Sequence, residues 1–268
     1  MFEKMKSDLE ATMQANNVPF ASFGVTDAHA TRMHAHIGSV GDAALDDTHI
    51  FRIASMTKPI VTLAALQLVA GGDLRLDQPM KEILPELGEG QVVSREGDEL
   101  VFAPLARDIT LHHLLTHTSG YAYDFHAEMI AELVAQEKIA GVASDNDAFL
   151  AAPLIFQPGE NWEYGINIDW AGKIVEKVCG VDLNEYVKAN ILRPLGMEHT
   201  SFSINDLSAD ALVPLGLRDD DGNLSDVSEL MPTVTDGPYL GGGGLYSNVG
   251  DYMKFMRMVL RNGQGPDR

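Results

Sequence analysis

The sequence predicts an α+β fold in which antiparallel strands near the N-terminus precede a long, mostly helical region. Residues 20–27 and 33–40 carry the apolar content typical of strands and are joined by a short turn. Between residues 55 and 191, apolar side chains recur mainly at helical spacing. We therefore expect an antiparallel sheet flanked by helices, together with an all-helical region. Such a sheet needs further strands late in the chain, and because these are not evident we expect its C-terminal strands to be missing.

Composition excludes several classes of partner and framework. The 268 residues are 45% apolar and 22% charged, as in an ordinary globular protein, but the formal net charge is −20. Nucleic acids and anionic membranes bind basic surfaces, so neither is an expected partner. A single cysteine, Cys179, excludes an internal disulfide framework and a multi-cysteine metal site. We recognise no secretory signal and no apolar run of membrane-spanning length, and therefore expect an acidic, cytoplasmic protein.

Helical periodicity and turn signals divide the chain into elements. An amphipathic helix over 1–14 precedes the strands, whereas residues 77–108 are rich in Pro, Gly and charge and are expected to be irregular. Further helices are predicted over residues 56–69, 109–116, 128–139, 145–150, 168–178, 183–191 and 249–260. Their predicted N-terminal caps include Ser144 or Asp145, Asp182 and Asn248.

The elements are expected to form one incomplete domain over residues 1–268. Region 1–54 would hold the N-terminal helix and the first strands, and region 55–212 would be mostly helical. Region 213–268 would contain a hairpin around 219–222, a glycine-rich segment and the last helix.

Ser55 and Lys58 are the pair of residues that most strongly indicates chemistry. They lie three residues apart at the start of a predicted helix that Gly71 and Gly72 end, so the lysine amine can reach the serine hydroxyl. A serine hydroxyl needs an adjacent base to become a nucleophile, and a helix N-terminus favours developing negative charge. Pro59 suits the first turn of such a helix. By spacing alone, a helix cap followed by a solvated lysine is the better interpretation of the pair.

Five runs, taken together, resemble one family. They are FRIASMTKP (51–59), HHLLTHTSG (112–120), FQPGENWEY (156–164), PLGMEHT (194–200) and GGGGLYS (241–247). In this order and at these separations they are similar to the serine β-lactamase-like superfamily. That group includes class C β-lactamases, D-alanyl-D-alanine carboxypeptidases and family VIII carboxylesterases, the last being the most similar branch.

The resemblance implies roles for particular residues. Ser55 would be the acylated nucleophile, with its backbone N–H forming half of an oxyanion hole, and Lys58 would accept its proton. Tyr164 matches the family's second-motif tyrosine and would share proton transfer to the leaving group. The residues expected near substrate are Tyr123, Ile166, Asn167, Gly242 and Gly243. For Tyr123, core packing is an equally good interpretation.

Two departures from the family pattern affect this reading. The second motif is commonly Tyr-x-Asn, whereas here Ile166 holds the third place and Asn167 follows it, as in the carboxylesterase branch. The Lys-Thr-Gly run of the third motif does not occur in the sequence. We therefore expect this chain to be a fragment with an incomplete catalytic constellation. It should hydrolyse esters far more slowly than a version extended at its C-terminus.

Histidines and glycines elsewhere invite other readings that we do not favour. His112, His113 and His117 lie within six residues, but the i, i+4 pair His113 and His117 has no following glutamate or third ligand at the spacing of a helical zinc site. The resemblance treats this run as scaffold. His34 and His36 share one strand face, and we expect them to be exposed and not to bind metal. The glycine run 241–244 lacks a Walker lysine and is better explained by close backbone approach to a strand.

The sequence thus favours a serine carboxylesterase that acts on small-molecule esters of short acyl chains, with no metal and no cofactor. One alternative is a β-lactamase, a D-alanyl-D-alanine carboxypeptidase or a D-aminopeptidase. Another is a catalytically impaired binding or sensor protein that keeps the fold. Natural substrate and oligomeric state are left open.

Overall fold

A computed structural model of the chain describes residues 2–144 and 146–265. Its α-helices are α1 (Phe2–Ala15), α2 (Thr57–Gly71), α3 (Leu111–Leu115), α4 (Glu128–Ala135), α5 (Asn167–Cys179), α6 (Leu183–Val187), α7 (Arg193–Leu195) and α8 (Val249–Leu260). Its strands are β1 (Phe20–Thr26), β2 (Thr31–Val40), β3 (Ala43–Ala44), β4 (Phe51–Arg52), β5 (Gln91–Glu96), β6 (Glu99–Pro104), β7 (Gly216–Arg218), β8 (Leu224–Asp226) and β9 (Tyr246–Ser247). Helices and small antiparallel sheets occur together, which confirms the predicted α+β class.

The described residues form two compact units. Unit 1 comprises residues 2–53, 188–235 and 245–265, and unit 2 comprises residues 54–187 and 236–244. The first stretch of unit 1 ends at Ile53, one residue before the end of the expected region 1–54. The grouping otherwise differs from the three expected regions. Residues 188–212 belong with unit 1, and the glycine-rich segment belongs with unit 2.

Unit 1 is built on the sheet β1-β2-β3, with β1 and β2 antiparallel. Helix α8 packs against β1. Gly24 in β1 permits this approach, because a Cβ at that position would lie only 2.4 Å from Met253 Sδ of α8. Asn248 caps α8 as predicted, since its side chain accepts a hydrogen bond from the Asp251 N–H.

A second pairing in unit 1 joins an early strand to a late one. Strand β9 follows the glycine-rich segment and pairs antiparallel with β4. Ile50, Ile204 and Tyr246 form a buried cluster beside this pair. The sequence analysis did not identify this late strand. Two-residue strands are too short to show an alternating pattern in sequence.

Unit 2 is organised around α2, which packs against α5, while α3 packs against the same helix. Gly72 ends α2 in the left-handed conformation, with φ of 86°, as the predicted glycine stop requires. Thr110 and His113 form a reciprocal capping box at the start of α3. Asp182 accepts a hydrogen bond from the Glu185 N–H and so caps α6 as predicted.

Other predictions differ from the structure in extent. Residues 77–108 are not wholly irregular, because β5 and β6 form a hairpin whose two-residue turn begins at Gly97, with φ of 62°. Helix α4 ends four residues before the predicted Ile139. The helix predicted over 145–150 is a 3₁₀ turn, Ala148–Ala151, and the proposed cap Asp145 lies outside the described residues.

One helical stretch, Ala54–Gly71, is long enough and apolar enough to cross a membrane by length and composition alone, with a mean hydropathy of 1.2 over 18 residues. This modifies the expectation that no segment approaches such a length. Buried side chains, including that of Lys58, account for 39% of the stretch. Core helices of folded domains meet the same criteria, and α2 packs on α5 as such a helix does.

Candidate active site

The local fold places Ser55 on a strained turn directly before α2. Residues Ala54–Met56 form a 3₁₀ turn, and Ala54 has a left-handed φ of 44°, a conformation that alanine rarely adopts. Ser55 is exposed, while Lys58, in the first turn of α2, is 7% exposed. The turn therefore presents a serine hydroxyl to solvent and keeps the amine that faces it inside unit 2.

Lys58 Nζ is held by three oxygen atoms. It lies 3.2 Å from Ser55 Oγ and 3.0 Å from Tyr123 Oη. Its shortest contact, 2.7 Å, is to the backbone carbonyl of Gly242. The structure thus brings together the two residues that the sequence singled out, and adds two partners of the amine.

These contacts suit both protonation states of the lysine. An ammonium group has three N–H donors, which match the three oxygens. A neutral amine has two donors and one lone pair, and the Gly242 carbonyl can only accept. The lone pair can then receive a proton from the Ser55 hydroxyl, while the second N–H bonds to Tyr123 Oη. The geometry is therefore compatible with proton transfer from Ser55 to Lys58.

Two tyrosines lie against the amine in different ways. The Tyr164 ring faces Lys58 Nζ, with 4.6 Å between the nitrogen and the ring centroid, whereas Tyr123 offers its hydroxyl. The two rings meet edge to face at 5.5 Å. Burial, reinforced by the nearby Asp169 charge, raises the pKa of Tyr123 well above its ordinary value of 10. Tyr123 therefore remains a neutral phenol, and within the described residues it is the tyrosine whose hydroxyl bonds to Lys58.

Asp169 is a site residue that the sequence analysis missed. It is 5% exposed in the first turn of α5, and its Oδ1 accepts a 2.7 Å hydrogen bond from the Gly242 N–H. Burial raises its pKa to about 6, although the Gly242 bond and the Lys58 charge both act to lower it. An acidic residue in the first helical turn is common for dipole reasons alone, so the sequence offered no signal for this role.

The glycine run is explained by its approach to α5. A Cβ on Gly242 would lie 2.3 Å from Asp169 Oδ2, and one on Gly241 would lie 2.4 Å from the Ile168 carbonyl oxygen. Close backbone approach was the expected reason for these glycines. Its partner in unit 2 is a helix and not the expected strand. Gly243 is exposed beside Ala54, and a Cβ there would make its nearest contact at 3.8 Å.

Ile166 and Asn167 do not occupy substrate-facing positions. Their side chains are 2% and 0% exposed. Asn167 Oδ1 accepts a 2.5 Å hydrogen bond from Ser119, and its amide nitrogen contacts His117 Nδ1 at 3.0 Å. The nitrogen also bonds to the Tyr121 carbonyl. Asn167 therefore joins α5 to the segment that follows α3. The burial of both side chains argues against the expected contact of Ile166 and Asn167 with substrate.

The histidines of the 112–117 run serve the scaffold in this structure. His113 completes the cap of α3. The His117 side chain is hydrogen-bonded to Asn167, and the His117 backbone has a left-handed φ of 58°. Burial, with a smaller contribution from the Lys58 charge, lowers the pKa of His117 to about 4. His117 is thus neutral at neutral pH.

A separate cavity of about 870 Å³ lies in unit 2. Tyr121, Trp170 and Lys173 are among its lining residues, and Ser55 and Lys58 are not. The volume is typical of small-molecule sites, but the cavity is distinct from the serine–lysine pair.

An α+β chain with a serine three residues before a buried lysine, at the start of a core helix, has the architecture of the serine β-lactamase/transpeptidase fold. The chain matches the family described as Beta-lactamase over residues 5–268 and belongs to that family. Its structural neighbours agree. Simvastatin synthase from Aspergillus terreus has a TM-score of 0.83 and 29% identity, covering 98% of this chain and 70% of that one.

Curated relatives and a further structure extend the comparison. Monacolin J acid methylbutanoyltransferase from Aspergillus terreus is 35% identical over 218 residues, covering 78% of this chain and 52% of that protein. Lovastatin esterase from Penicillium rubens is 37% identical over 236 residues, covering 81% and 56%. The chain thus spans about half the length of the curated relatives it matches. EstCE1, described as a hydrolase with promiscuous acyltransferase activity, shares the fold with a TM-score of 0.80 at 19% identity and with coverage of 99% and 74%.

Proposed function

We propose that this chain carries the acyl-transfer site of a serine enzyme that cleaves carboxylic esters of short acyl chains through an acyl-enzyme on Ser55. The observation that carries the proposal is the 3.2 Å contact between Lys58 Nζ and Ser55 Oγ at the start of α2. The family and the relatives' names support the same class of chemistry.

The proposed acylation step begins when Ser55 Oγ attacks the ester carbonyl carbon and gives its proton to Lys58 Nζ. Collapse of the tetrahedral intermediate breaks the bond between the acyl carbon and the alkoxy oxygen. The departing alkoxide takes up a proton from Lys58, with Tyr164 as the sequence-predicted relay. A water or alcohol then attacks the acyl carbon and loses its proton to Lys58. The bond between the acyl carbon and Ser55 Oγ breaks, and Lys58 returns the proton to Ser55 Oγ.

The remaining site residues would hold Lys58 in place for these transfers. The Gly242 carbonyl fixes one N–H of the amine and Asp169 fixes the Gly242 peptide. Tyr123 remains neutral and accepts a second N–H. Both interactions leave the third position on nitrogen facing Ser55, which is the orientation that proton transfer requires.

The structure favours an ester over a β-lactam or peptide amide as substrate. The asparagine that holds a substrate amide in β-lactamases would have to come from Asn167 here. That side chain is fully buried and its oxygen and nitrogen are both bonded within unit 2. An ester presents no amide N–H to be recognised, so loss of this contact costs an esterase nothing.

The relatives' names suggest the acyl group and a second candidate function. Methylbutanoyl is a short branched acyl group in the name of one relative, and another relative is named an esterase. An ester that carries a short acyl chain is therefore the proposed acyl donor. Because several relatives are named acyltransferases, transfer of the acyl group to an alcohol in place of water is the second candidate.

Covalent labelling tests the proposal most directly. A fluorophosphonate probe should label the wild-type chain and the control Ser94→Ala, an exposed serine in β5, but not Ser55→Ala. Hydrolysis of p-nitrophenyl butyrate should exceed that of a chromogenic cephalosporin. Absence of labelling in a folded wild-type chain would instead support the impaired binding protein. Faster cephalosporin turnover would support the β-lactamase alternative.

Product analysis separates hydrolysis from transfer. With p-nitrophenyl butyrate as donor and an added alcohol as acceptor, an esterase releases mainly butyrate, whereas an acyltransferase forms mainly the new ester. Both products should disappear in Ser55→Ala. A butyrate ester of the added alcohol that still forms in that variant would show that the reaction does not pass through Ser55.

A further inference from the structure

Unit 1 contains a cluster of three metal-binding side chains that takes no part in the proposed ester chemistry. His34 and His36 lie two residues apart on β2, so both project from the same face of the sheet. Asp47 Oδ1 lies 3.1 Å from His34 Nε2 and 3.2 Å from His36 Nε2. The three donor atoms all lie within 4.8 Å of one another.

The two nitrogen–oxygen separations come close to the spacing of donors around a small tetrahedral ion. Zinc binds imidazole nitrogen and carboxylate oxygen at about 2.0–2.2 Å, which places neighbouring tetrahedral donors roughly 3.3–3.5 Å apart. The two measured nitrogen–oxygen distances lie just below this range. A cation between the three atoms would therefore need shifts of only a few tenths of an ångström at the Asp47 contacts.

The surrounding residues orient the donors. Ser22 lies opposite His36 in the β1–β2 register, and its Oγ is 2.9 Å from His36 Nδ1, so the other ring nitrogen faces Asp47. Asn248 Nδ2 donates a 2.7 Å hydrogen bond to the Asp47 carbonyl oxygen, which fixes the backbone of the third donor. Partners of this kind, which hold a ligand's second atom, are typical of metal sites.

One atom of the cluster lacks an adequate partner. His34 Nε2 is buried and, among the described residues, has no hydrogen bond of acceptable geometry despite its proximity to Asp47. Buried polar atoms without partners are rare, and a bound cation would satisfy this one.

We propose that His34, His36 and Asp47 form a binding site for a divalent transition-metal ion, of which Zn²⁺ fits best. Two imidazoles and one carboxylate are donors that suit Zn²⁺ and its neighbours and do not suit Mg²⁺ or Ca²⁺, which prefer oxygen alone. The side chains supply three ligands and leave a fourth position for water. Such an ion would tie β2 to the segment that precedes β4. This inference stands independently of the function proposed for Ser55.

Titration of the metal-free chain with ZnCl₂ tests the site. Isothermal titration calorimetry should give one tight site, and thermal melting should show a Tm increase with Zn²⁺. His34→Gln and His36→Gln should each weaken Zn²⁺ binding by about 100-fold or more, since each removes one of three ligands. Ser22→Ala, which keeps all three ligands, should weaken it by about 10- to 100-fold. His29→Gln, in the exposed turn of the same hairpin, should bind Zn²⁺ as the wild type does.

Several outcomes would overturn the proposal. Unchanged Zn²⁺ affinity in folded His34→Gln or Asp47→Asn would place the ion elsewhere on the chain. Displacement of Zn²⁺ by millimolar Mg²⁺ would identify general binding to the acidic surface. Circular dichroism of each metal-free variant establishes that it is folded, and Asp47→Asn, the least disruptive change, provides the test if a histidine variant fails to fold.

Discussion

Asp169 Oδ1 accepts a 2.7 Å hydrogen bond from the backbone N–H of Gly242, the residue whose carbonyl oxygen holds Lys58 Nζ. A single peptide segment therefore joins a buried carboxylate to the proposed base. The carboxylate does not contact the amine through a hydrogen bond of its own among the described residues. It determines where the amine is held by fixing the glycine backbone, which makes it a positioning residue.

The raised pKa of Asp169 has a consequence for stability. Its folded pKa of about 6 exceeds its ordinary 3.8, so the folded protein binds this proton more tightly than the unfolded chain. The stabilisation is complete below pH 4 and is lost as the pH rises through 6. The difference in pKa corresponds to about 3 kcal/mol. Asp169→Asn, which keeps an oxygen acceptor for Gly242, should remove this dependence.

Thermal melting at pH 4.5 and 7.5 measures the effect. The Tm of Asp169→Asn minus that of the wild type should be larger at pH 7.5 than at pH 4.5. Asp77→Asn, whose side chain is 85% exposed, is the matched control and should show no such change. A constant difference between Asp169→Asn and the wild type at both pH values would show that Asp169 does not titrate in this range.

Neighbouring glycines provide a paired test of the contact with α5. Gly242→Ala should displace the segment, because its Cβ would lie 2.3 Å from Asp169 Oδ2. We expect a loss of about 1–3 kcal/mol in unfolding free energy and at least tenfold slower labelling of Ser55. Gly243→Ala adds the same methyl group where the nearest atom is 3.8 Å away, and its Tm should equal or exceed that of the wild type. Equal Tm losses in both variants would contradict a specific contact at Gly242.

Much of this arrangement could be predicted from the sequence because it is local. Ser55 and Lys58 lie within one helical turn, so their contact follows once α2 is recognised. The β1–β2 hairpin and the cap of α8 at Asn248 have similarly short-range signals.

The parts that could not be predicted depend on distant segments. The contact between Lys58 and Gly242 joins residues 184 positions apart, and no periodicity encodes it. Asp169 resembles an ordinary acid at a helix start, and Asn167 resembles a polar residue near Tyr164, the tyrosine of the expected second motif. Only packing shows that the first is bonded to Gly242 and that the second is buried. The His34–His36–Asp47 cluster likewise depends on a segment folding back onto β2.

The two tyrosines beside Lys58 can be assigned by removing each hydroxyl. Tyr164→Phe should slow acylation by about 100-fold or more if its hydroxyl relays the proton, as the family resemblance implies. Tyr123→Phe removes one hydrogen-bond acceptor of the Lys58 amine. The lost hydrogen bond should cost about 1.5–3 kcal/mol, which corresponds to acylation slower by roughly 10- to 100-fold. Both variants keep the rings. Tyr164→Phe should therefore keep the wild-type Tm, whereas Tyr123→Phe should lower it, because the buried Lys58 amine loses an acceptor.

Presteady-state release of p-nitrophenol measures acylation in each variant. If acylation slows more in Tyr123→Phe than in Tyr164→Phe, Tyr123 is the proton relay and Tyr164 is not. That outcome would agree with the structure, in which the Tyr123 hydroxyl, and not that of Tyr164, bonds to Lys58.

His117 should make the protein sensitive to acid, in the direction opposite to Asp169. Its folded pKa of about 4 lies below the ordinary 6.5, because burial disfavours the charged ring. The stabilisation from keeping this ring neutral is present above pH 6.5 and is lost as the pH falls towards 4. His117→Asn is the suitable variant, since asparagine tolerates the left-handed φ of 58° at this position.

The change in Tm between pH 7.5 and pH 5 measures this effect. Over this interval acidification lowers stability through His117 and raises it through Asp169. His117→Asn loses the hydrogen bond to Asn167, which should lower its stability by the same amount at both pH values. On acidification, however, its Tm should fall less than that of the wild type. His112→Asn, on the exposed side of α3, should follow the wild type at both pH values. A Tm decrease in His117→Asn as large as in the wild type would mean that other groups cause the acid sensitivity. The double variant Asp169→Asn/His117→Asn should then show whether these two groups titrate independently.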